Sequence, residues 1–588
     1  MKNKFRIVSL LLAMGMLLSG CARFLPQEGA EAQEKAGEAF VIDTENEETY
    51  KLRDKDDLYT VDNPEDIVTM YLTVSEGNEG EGTNHTWKEI NTYSVFDYED
   101  MGVDRYKVEG LLQIGDETGP LPGKVGYGQV SPNCTIQIRG QTSSRQPIKN
   151  YKISLKDNKG MWMGNTSIPL NKHVNEGLRF RNKMAYDLIT EIPQMMALRT
   201  KFVHLYVKDT TAGGNNKFTD YGIYTYVEQL NKKTLKAHGL DANGHLYKIN
   251  EFEFYRYEDV IKMKDDPTFD EVAFETRIET KGSDDHEKLI KMLEDVNDFS
   301  KPIDDVLDKH FDVENLSYWM AFHILVGNAD TQSRNVYMYS PLNLDRWFFI
   351  SWDNDGMLNK TEYAVENRVS YAEWETGVSN YWGNVLFQRM LKSENYRKAL
   401  DAAIEDLRTN YLTKSKIETM SKRYAGIVKP YVYSYPDILN LPFTSTEYDR
   451  IVAGLPSEIE TNYNLYKESF EKPMPFFIDA PRKKGDKLII SSQSSFDFDA
   501  EPITYDIQVA RDYNFKNIIL DKQDMALPIV EMDMLPRGQY FIKATATNQS
   551  GYSQTAFDYY YADGGKKYGT KCFYIDATGN VVEDIYED

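Results

Sequence analysis

The chain has 588 residues, 41% of them hydrophobic and 13% aromatic, with a formal net charge of −24. That length and apolar content suffice for more than one packed domain. The acidic balance argues against nucleic acid or an anionic membrane surface as a general partner, while leaving room for a local basic pocket for phosphates.

Lys2, Lys4 and Arg6 form a basic leader, and residues 7–18 an apolar run shorter than a membrane span. Leu18-Ser19-Gly20-Cys21 then reads as a bacterial lipobox. The expectation is a signal peptide over 1–20, cleavage before Cys21, a lipid on its thiol, and attachment to the outer face of the cell membrane. Residues 21–60, acidic and rich in Glu, Gln, Ala and Gly, read as a flexible tether. With Cys21 lipidated, Cys134 and Cys572 remain; two buried thiols are expected rather than one long-range disulfide, since a chain this size needs no staple.

Strand patterns begin at 67–74 and continue at 106–114 and 135–139. At 151–156, apolar and polar residues alternate with period two, as in a half-buried strand. Between 174 and 192, Leu178, Met184, Ala185, Leu188 and Ile189 recur at helical spacing and predict a helix. Strands are predicted at 201–207 and 222–227, on either side of a Gly-Gly-Asn-Asn turn at 213–216. Beyond Glu228 the pattern becomes mostly helical, clearest at 285–299 and 312–326. Asp312 is placed as an N-cap, and Leu316, Trp319, Met320, His323 and Ile324 line one face. His323, within that apolar stripe, reads as a core histidine. A short hairpin follows at 335–339 and 346–351.

A boundary falls at Glu471-Lys472-Pro473-Met474-Pro475, after which short strands return at 487–491, 503–510 and 540–546. With Leu535-Pro536-Arg537-Gly538-Gln539-Tyr540 ahead of the last, residues 476–588 resemble a fibronectin type III-like β-sandwich.

Chemistry concentrates between 328 and 355. Asn328-Ala329-Asp330-Thr331-Gln332-Ser333-Arg334-Asn335 places an Asp and, five residues on, an Asn in the loop after the 312–326 helix. Trp352-Asp353-Asn354-Asp355 ends the apolar hairpin strand. The D-x-x-x-x-N spacing matches a kinase catalytic loop, without the usual His-Arg before the Asp and without Phe-Gly after the second one. Phosphoryl transfer needs such a set: a carboxylate at the attacking hydroxyl, and an amide oxygen and a second carboxylate for the metals bridging the phosphates. The same residues admit other readings. Asp353-Asn354-Asp355-Gly356 is also a D-x-D of the nucleotide-sugar glycosyltransferase type, or a calcium loop whose Gly falls too early for an EF-hand.

Four segments in order resemble the CotH kinase family: Ile138-Arg139-Gly140-Gln141-Thr142-Ser143-Ser144-Arg145 with Lys149-Asn150-Tyr151-Lys152; Leu178-Arg179-Phe180-Arg181-Asn182-Lys183; Tyr221-Gly222-Ile223-Tyr224-Thr225-Tyr226-Val227-Glu228-Gln229-Leu230; and the Asp330…Asn335 and Asp353–Asp355 pair. The resemblance implies an α+β, atypical protein-kinase-like bilobal domain over 61–470, divided near 228, followed by the small all-β sandwich. It implies ATP with magnesium or manganese, and Ser/Thr phosphorylation of secreted or surface proteins, spore-coat proteins among them. Carried over residue by residue, Asp330 is the catalytic Asp. Asn335 and Asp353 are metal ligands, with Asp355 as a further one. Lys152 is the phosphate-pairing lysine, with Lys149 and Lys156 as competitors. Arg139, Gly140, Ser143 and Ser144 form the turn over the phosphates, where small residues permit close backbone approach. Glu228, Gln229 and Leu230 form the hinge, meeting adenine through backbone groups. The helix after Lys152 lacks a central Glu; Glu176 lies at its start, and Arg179 or Asn182 takes the position instead. A catalytically inactive kinase fold acting as a surface scaffold is the alternative function.

Overall fold

A computed structural model describes residues 63–366 and 372–583, with 52, 54, 55 and 57–60 ahead of them. The expected signal peptide, Cys21 and most of the tether lie outside the described residues. The chain is a mixed α+β structure that divides into two compact units. Of the described residues, the larger holds those up to 366 and 384–464, and the smaller holds 372–383 and 465–583.

In the larger unit, eight strands come first: β1 (Ile67–Ser75), β2 (Val108–Asp116), β3 (Gly119–Pro120), β4 (Cys134–Arg139), β5 (Asn150–Leu155), β6 (Ser167–Asn171), β7 (Thr200–Asp209) and β8 (Phe218–Val227). Their order is β1-β7-β8-β6-β5-β4-β2-β3, and β1 also pairs with β2, so seven strands close on themselves. Only the β1–β7 pairing in this sheet is parallel. Side chains alternate across it. Ile136, Ile138, Tyr151 and Ile153 point into a core with Met70, Leu72, Leu112, Val203 and Leu205. The register sets Gln137 opposite Lys152 and Arg139 opposite Asn150, so Arg139 and Lys152 share the other face.

The predicted 174–192 helix is shorter than expected: the observed helix is Arg181–Ile189. Two features break its first turns. Arg179 adopts φ +62, which costs an L-residue energy and ends regular structure. Gly177 lies against Phe443, whose ring would be 1.9 Å from any added Cβ. Beyond Glu228 the chain is helical but not purely so. Strands β9 (His245–Ile249) and β10 (Ile278–Thr280) join the predicted hairpin, β11 (Val336–Ser340) and β12 (Phe348–Ser351), in a sheet of order β10-β9-β11-β12. The Val313–Val326 helix starts at the predicted cap, where the Asp312 side chain accepts from Asn315 N at 2.8 Å. All of it except Val313 and Glu314 is buried, so it is a central helix rather than one with a single apolar face.

A buried ion pair joins the closed sheet to the 434–440 segment. Lys172 Nζ lies 2.6 Å from Asp437 Oδ1, and each side chain is 1% exposed. Lys172 also donates to the Tyr221 carbonyl at 2.6 Å, and Asp437 Oδ2 accepts from Ile223 N at 2.8 Å. Burial pulls the Lys172 pKa down to about 8 even with Asp437 beside it. Asp437→Ala should therefore destabilise the unit by ~3–5 kcal/mol, because it strands a buried ammonium. Denaturant unfolding checks this, and the Lys172→Met/Asp437→Leu pair should recover most of the loss.

The smaller unit holds a two-stranded sheet, Tyr559–Ala562 with Gly565–Tyr568, and two larger sheets that share a core. One sheet pairs Arg482–Lys484, Lys487–Ser491 and Ile529–Asp533. The other runs Ile518–Met525, Ile503–Ala510, Gly538–Asn548, Thr570–Ile575, Val581–Glu583, with Ser553–Thr555 beside Gly538–Asn548. Leu488, Ile490 and Val530 from the first meet Ile507, Val509, Ile542 and Phe573 from the second in one core. Residues 372–383 belong here as well. Trp374 packs edge-on to Phe557 at 4.9 Å, and Trp382 stacks on Phe496 at 5.2 Å. Cys134 and Cys572 are both buried; burial pushes the Cys134 thiol up to about 12 and keeps it protonated.

Candidate active site

Gly327, at φ +67, ends the central helix, and the chain turns directly into the 328–335 loop. Asn335 Nδ2 donates to the Asp330 carbonyl at 3.0 Å and to its Oδ2 at 2.9 Å. Both amide hydrogens are thus committed to Asp330, and the amide oxygen is left as an acceptor. Arg334 Nε lies 3.6 Å from Asp330 Oδ1, and its guanidinium also donates to Glu251 at 2.8 Å. The Asp330 side chain is 60% exposed, yet the surrounding protein raises its pKa, with Asp355 and Glu251 adding to the effect and Arg334 opposing it.

Strand β12 delivers the second loop. Asp353 takes φ +55, and Asn354 between the two aspartates is fully buried. The inward side is held by hydrogen bonds. Asn354 N donates to Asn182 Oδ1 at 3.1 Å, and Ser351 Oγ bonds Asn354 Oδ1 and His323 Nε2, each at 2.9 Å. His323 is a buried core histidine, its pKa pulled down to about 3 by burial. Asp355 Oδ2 lies 3.2 Å from His173 Nδ1. Burial, then the charges of Asp355 and Asp330, push the Asp353 carboxyl upward against His173 and Arg139. Burial of Asp355 is outweighed by its His173 hydrogen bond, which holds it below the usual carboxylate range.

The 139–145 turn joins β4 to β5. Gly140 sits at φ +87, and an added Cβ would lie 2.1 Å from Ser143 Oγ, so the position requires glycine. Ser143 Oγ accepts from Asn150 Nδ2 at 3.0 Å. Ser144 is buried: its hydroxyl accepts from Val95 N at 3.0 Å and donates to the Gln141 carbonyl at 2.6 Å. Of the competing lysines, Lys149 is buried and donates to the Ser144 carbonyl, while Lys156 pairs with Glu109. Lys152 has different company. Burial lowers its pKa, and so do the charges of Lys281, Arg139, Lys107 and Arg105. Arg139, bonded to Asn171, feels the Asp353 charge in turn. One face of the closed sheet thus gathers cations beside the aspartates, in a chain of net charge −24.

The Glu228–Leu230 side chains are committed to the fold. The fully buried Glu228 carboxylate accepts from Arg199 at 2.5 Å and meets His238 Nε2 at 2.7 Å. Leu230 is fully buried, and Gln229 Oε1 accepts from Ser167 at 3.3 Å. Part of the backbone is committed too: Glu228 N donates to the Arg199 carbonyl at 2.9 Å, and the Gln229 carbonyl accepts from Thr234 Oγ1 at 2.7 Å.

Several residues were missed by sequence reasoning. Arg105 and Lys107 lie far along the chain from Lys281, and the group converges only in space. Arg181 in the Arg-Asn-Lys helix ion-pairs with Glu176 and Glu362, and Lys183 donates to Asp187 at 2.8 Å. Burial raises Glu176 to about 7 despite Arg181. His173, at φ +48, carried no signal at all.

Among the described residues, no three His, Cys, Asp or Glu side chains close around a point as a preformed metal cage. Magnesium needs none, since it binds one or two carboxylates together with water and phosphate oxygens. The donor set here fits it: Asp353 and Asp355 repel one another, the Asn335 amide oxygen is available, and every donor is a hard oxygen.

A family model described as CotH kinase protein matches residues 136–466. Inner spore coat protein H of Bacillus subtilis (strain 168) is 22% identical over 318 residues, covering 54% of this chain and 82% of that protein. Because the match takes in more than half of the 588 residues, and both aspartate loops fall inside it, the chain belongs to the CotH kinase family.

Proposed function

We propose that this chain is a membrane-tethered atypical protein kinase that transfers the γ-phosphate of ATP to Ser or Thr hydroxyls of secreted or surface proteins. The observation that carries this reading is the lock of Asn335 on Asp330 beside the Asp353–Asp355 loop. One carboxylate is held by an amide whose oxygen remains available, and the other two sit close enough to raise or lower each other's proton affinity.

Asp353, Asp355 and the Asn335 oxygen would hold magnesium or manganese, which when bound neutralises phosphate charge. Lys152 and Arg139 sit on the sheet face where the phosphates would lie, under the Gly140 turn. The acceptor oxygen bonds the γ-phosphorus as the bond to the β-phosphate oxygen breaks and ADP leaves. The acceptor proton passes to Asp330, the carboxylate that Asn335 holds through its Oδ2. Arg334 and Asn335 keep that carboxylate in one orientation, which is what a positioned base requires.

The glycosyltransferase reading would use the D-x-D aspartates but gives the Asn335–Asp330 lock no task. Calorimetric titration separates the two: saturable binding of ATP with magnesium and none of UDP-glucose is expected, and the reverse would overturn the kinase reading.

For the smaller unit we propose a fibronectin type III-like spacer. Two antiparallel sheets share one core, and Tyr540 OH donates to the Pro536 carbonyl at 2.7 Å, a tyrosine corner. No helix among the described residues is long and apolar enough to cross a membrane. The lipid on Cys21 is the proposed anchor, so Cys21→Ser should move the protein from the membrane to the soluble fraction, or leave it unprocessed. Cell fractionation reads this, and a variant still processed and membrane-bound would mean another attachment.

A further inference from the structure

Asn182 bridges two parts of the larger unit. Its Oδ1 accepts from Asn354 N at 3.1 Å, and its Nδ2 lies 3.3 Å from His173 Nε2. A backbone N–H can only donate, so this contact fixes which way the amide points. The NH₂ group is then the atom facing the ring, and it too can only donate. His173 Nε2 is therefore an acceptor, and the ring proton sits on Nδ1, 3.2 Å from Asp355 Oδ2. A directed chain results: Asn182 to His173 to Asp355. Both Asn182 and His173 are buried, and the Arg181 ion pairs with Glu176 and Glu362 fix the helix that carries the amide. The two contacts leave the ring one donor toward the aspartate loop, its Nδ1–H, aimed at Asp355 Oδ2.

The His173 hydrogen bond engages one oxygen of the Asp355 carboxylate, Oδ2, so it fixes the group's orientation and leaves Oδ1 for a cation. Partners of this kind, one step behind the ligand, typically change metal affinity ~10–100-fold when removed. We propose that Asn182 and His173 are positioning residues that aim the Asp355 carboxylate at a divalent cation, while the same Asn182 amide sets the Asp353–Asp355 loop through Asn354. This rests on the metal-dependent transferase reading above.

The test titrates Mn²⁺ into the full chain without nucleotide or acceptor, following free Mn²⁺ by electron paramagnetic resonance, with metal-free melting temperatures as the control for folding. His173→Leu should weaken Mn²⁺ binding ~10-fold or more, and His173→Asn, which keeps a donor near the Nδ1 position, should restore most of it. Asp355→Asn should weaken binding, and adding His173→Leu to it should cause no further loss, because the two act as one unit. Asn182→Ala should reproduce the His173→Leu loss and serves if that variant fails to fold. Wild-type affinity in folded His173→Leu and Asn182→Ala, additive losses in the double variant, or no Mn²⁺ binding by the wild type would each overturn the proposal. Failure of the kinase reading looks different: no transfer from ATP, with the Mn²⁺ shifts intact.

Discussion

Asp330→Asn is expected to lower phosphoryl transfer ~10²–10⁴-fold, the usual contribution of a positioned base, while ATP affinity stays within about twofold of wild type. The split follows from geometry. Asp330 is the exposed member of the aspartate set and is tied to Asn335 through both its carbonyl and its Oδ2. The substituted amide oxygen can still accept from Asn335, so the loop keeps its shape; what disappears is the carboxylate that receives the acceptor proton. That loss is felt only as the reaction proceeds, so it appears in turnover and not in ground-state binding. Parallel ATP titration and single-turnover transfer on the two proteins measure both quantities. A matched fall in affinity and turnover would make Asp330 a nucleotide-binding residue instead.

Asp353→Ala should have the opposite signature: loss of magnesium-dependent ATP binding by at least ~100-fold, about 2.7 kcal/mol, with no loss of thermal stability. Asp353 is buried and pressed by the charges of Asp355 and Asp330. With no cation present, its removal relieves repulsion and forfeits no hydrogen bond that the loop depends on, since the Asn354 contacts with Asn182 and Ser351 do that work. Calorimetry with and without magnesium, beside a melting curve, checks both halves. A strongly destabilised variant would show that the side chain is structural.

Local pattern made much of this legible. Strands β1, β2, β4 and β5 were readable because each alternates between buried and half-buried positions, whereas β7 and β8 are buried on both faces over much of their length. Residues of β6 (Ser167–Asn171) did not announce themselves, because Pro169 interrupts a short run and the strand is recognised only through its pairing with β5. The 174–192 stretch has real helical periodicity, but the contact of Gly177 with Phe443 and the left-handed turns at His173 and Arg179 are tertiary facts. In the site, Asp330, Asn335 and Asp353 could be nominated by spacing. The cations around Lys152 could not, since Arg105 and Lys107, Arg139, and Lys281 come from three distant stretches of the chain. Nor could the capture of 372–383 by the smaller unit, which depends on Trp374 and Trp382 finding Phe557 and Phe496.

The account stands most directly on one measurement: incubation of the purified chain with γ-labelled ATP and magnesium or manganese, followed by detection of label on protein Ser or Thr. Wild type should transfer label to itself or to a surface-protein acceptor, and Asp330→Asn should not. Absence of label from wild type with both metals, or equal label from the two proteins, would contradict the assignment of phosphoryl transfer to this site.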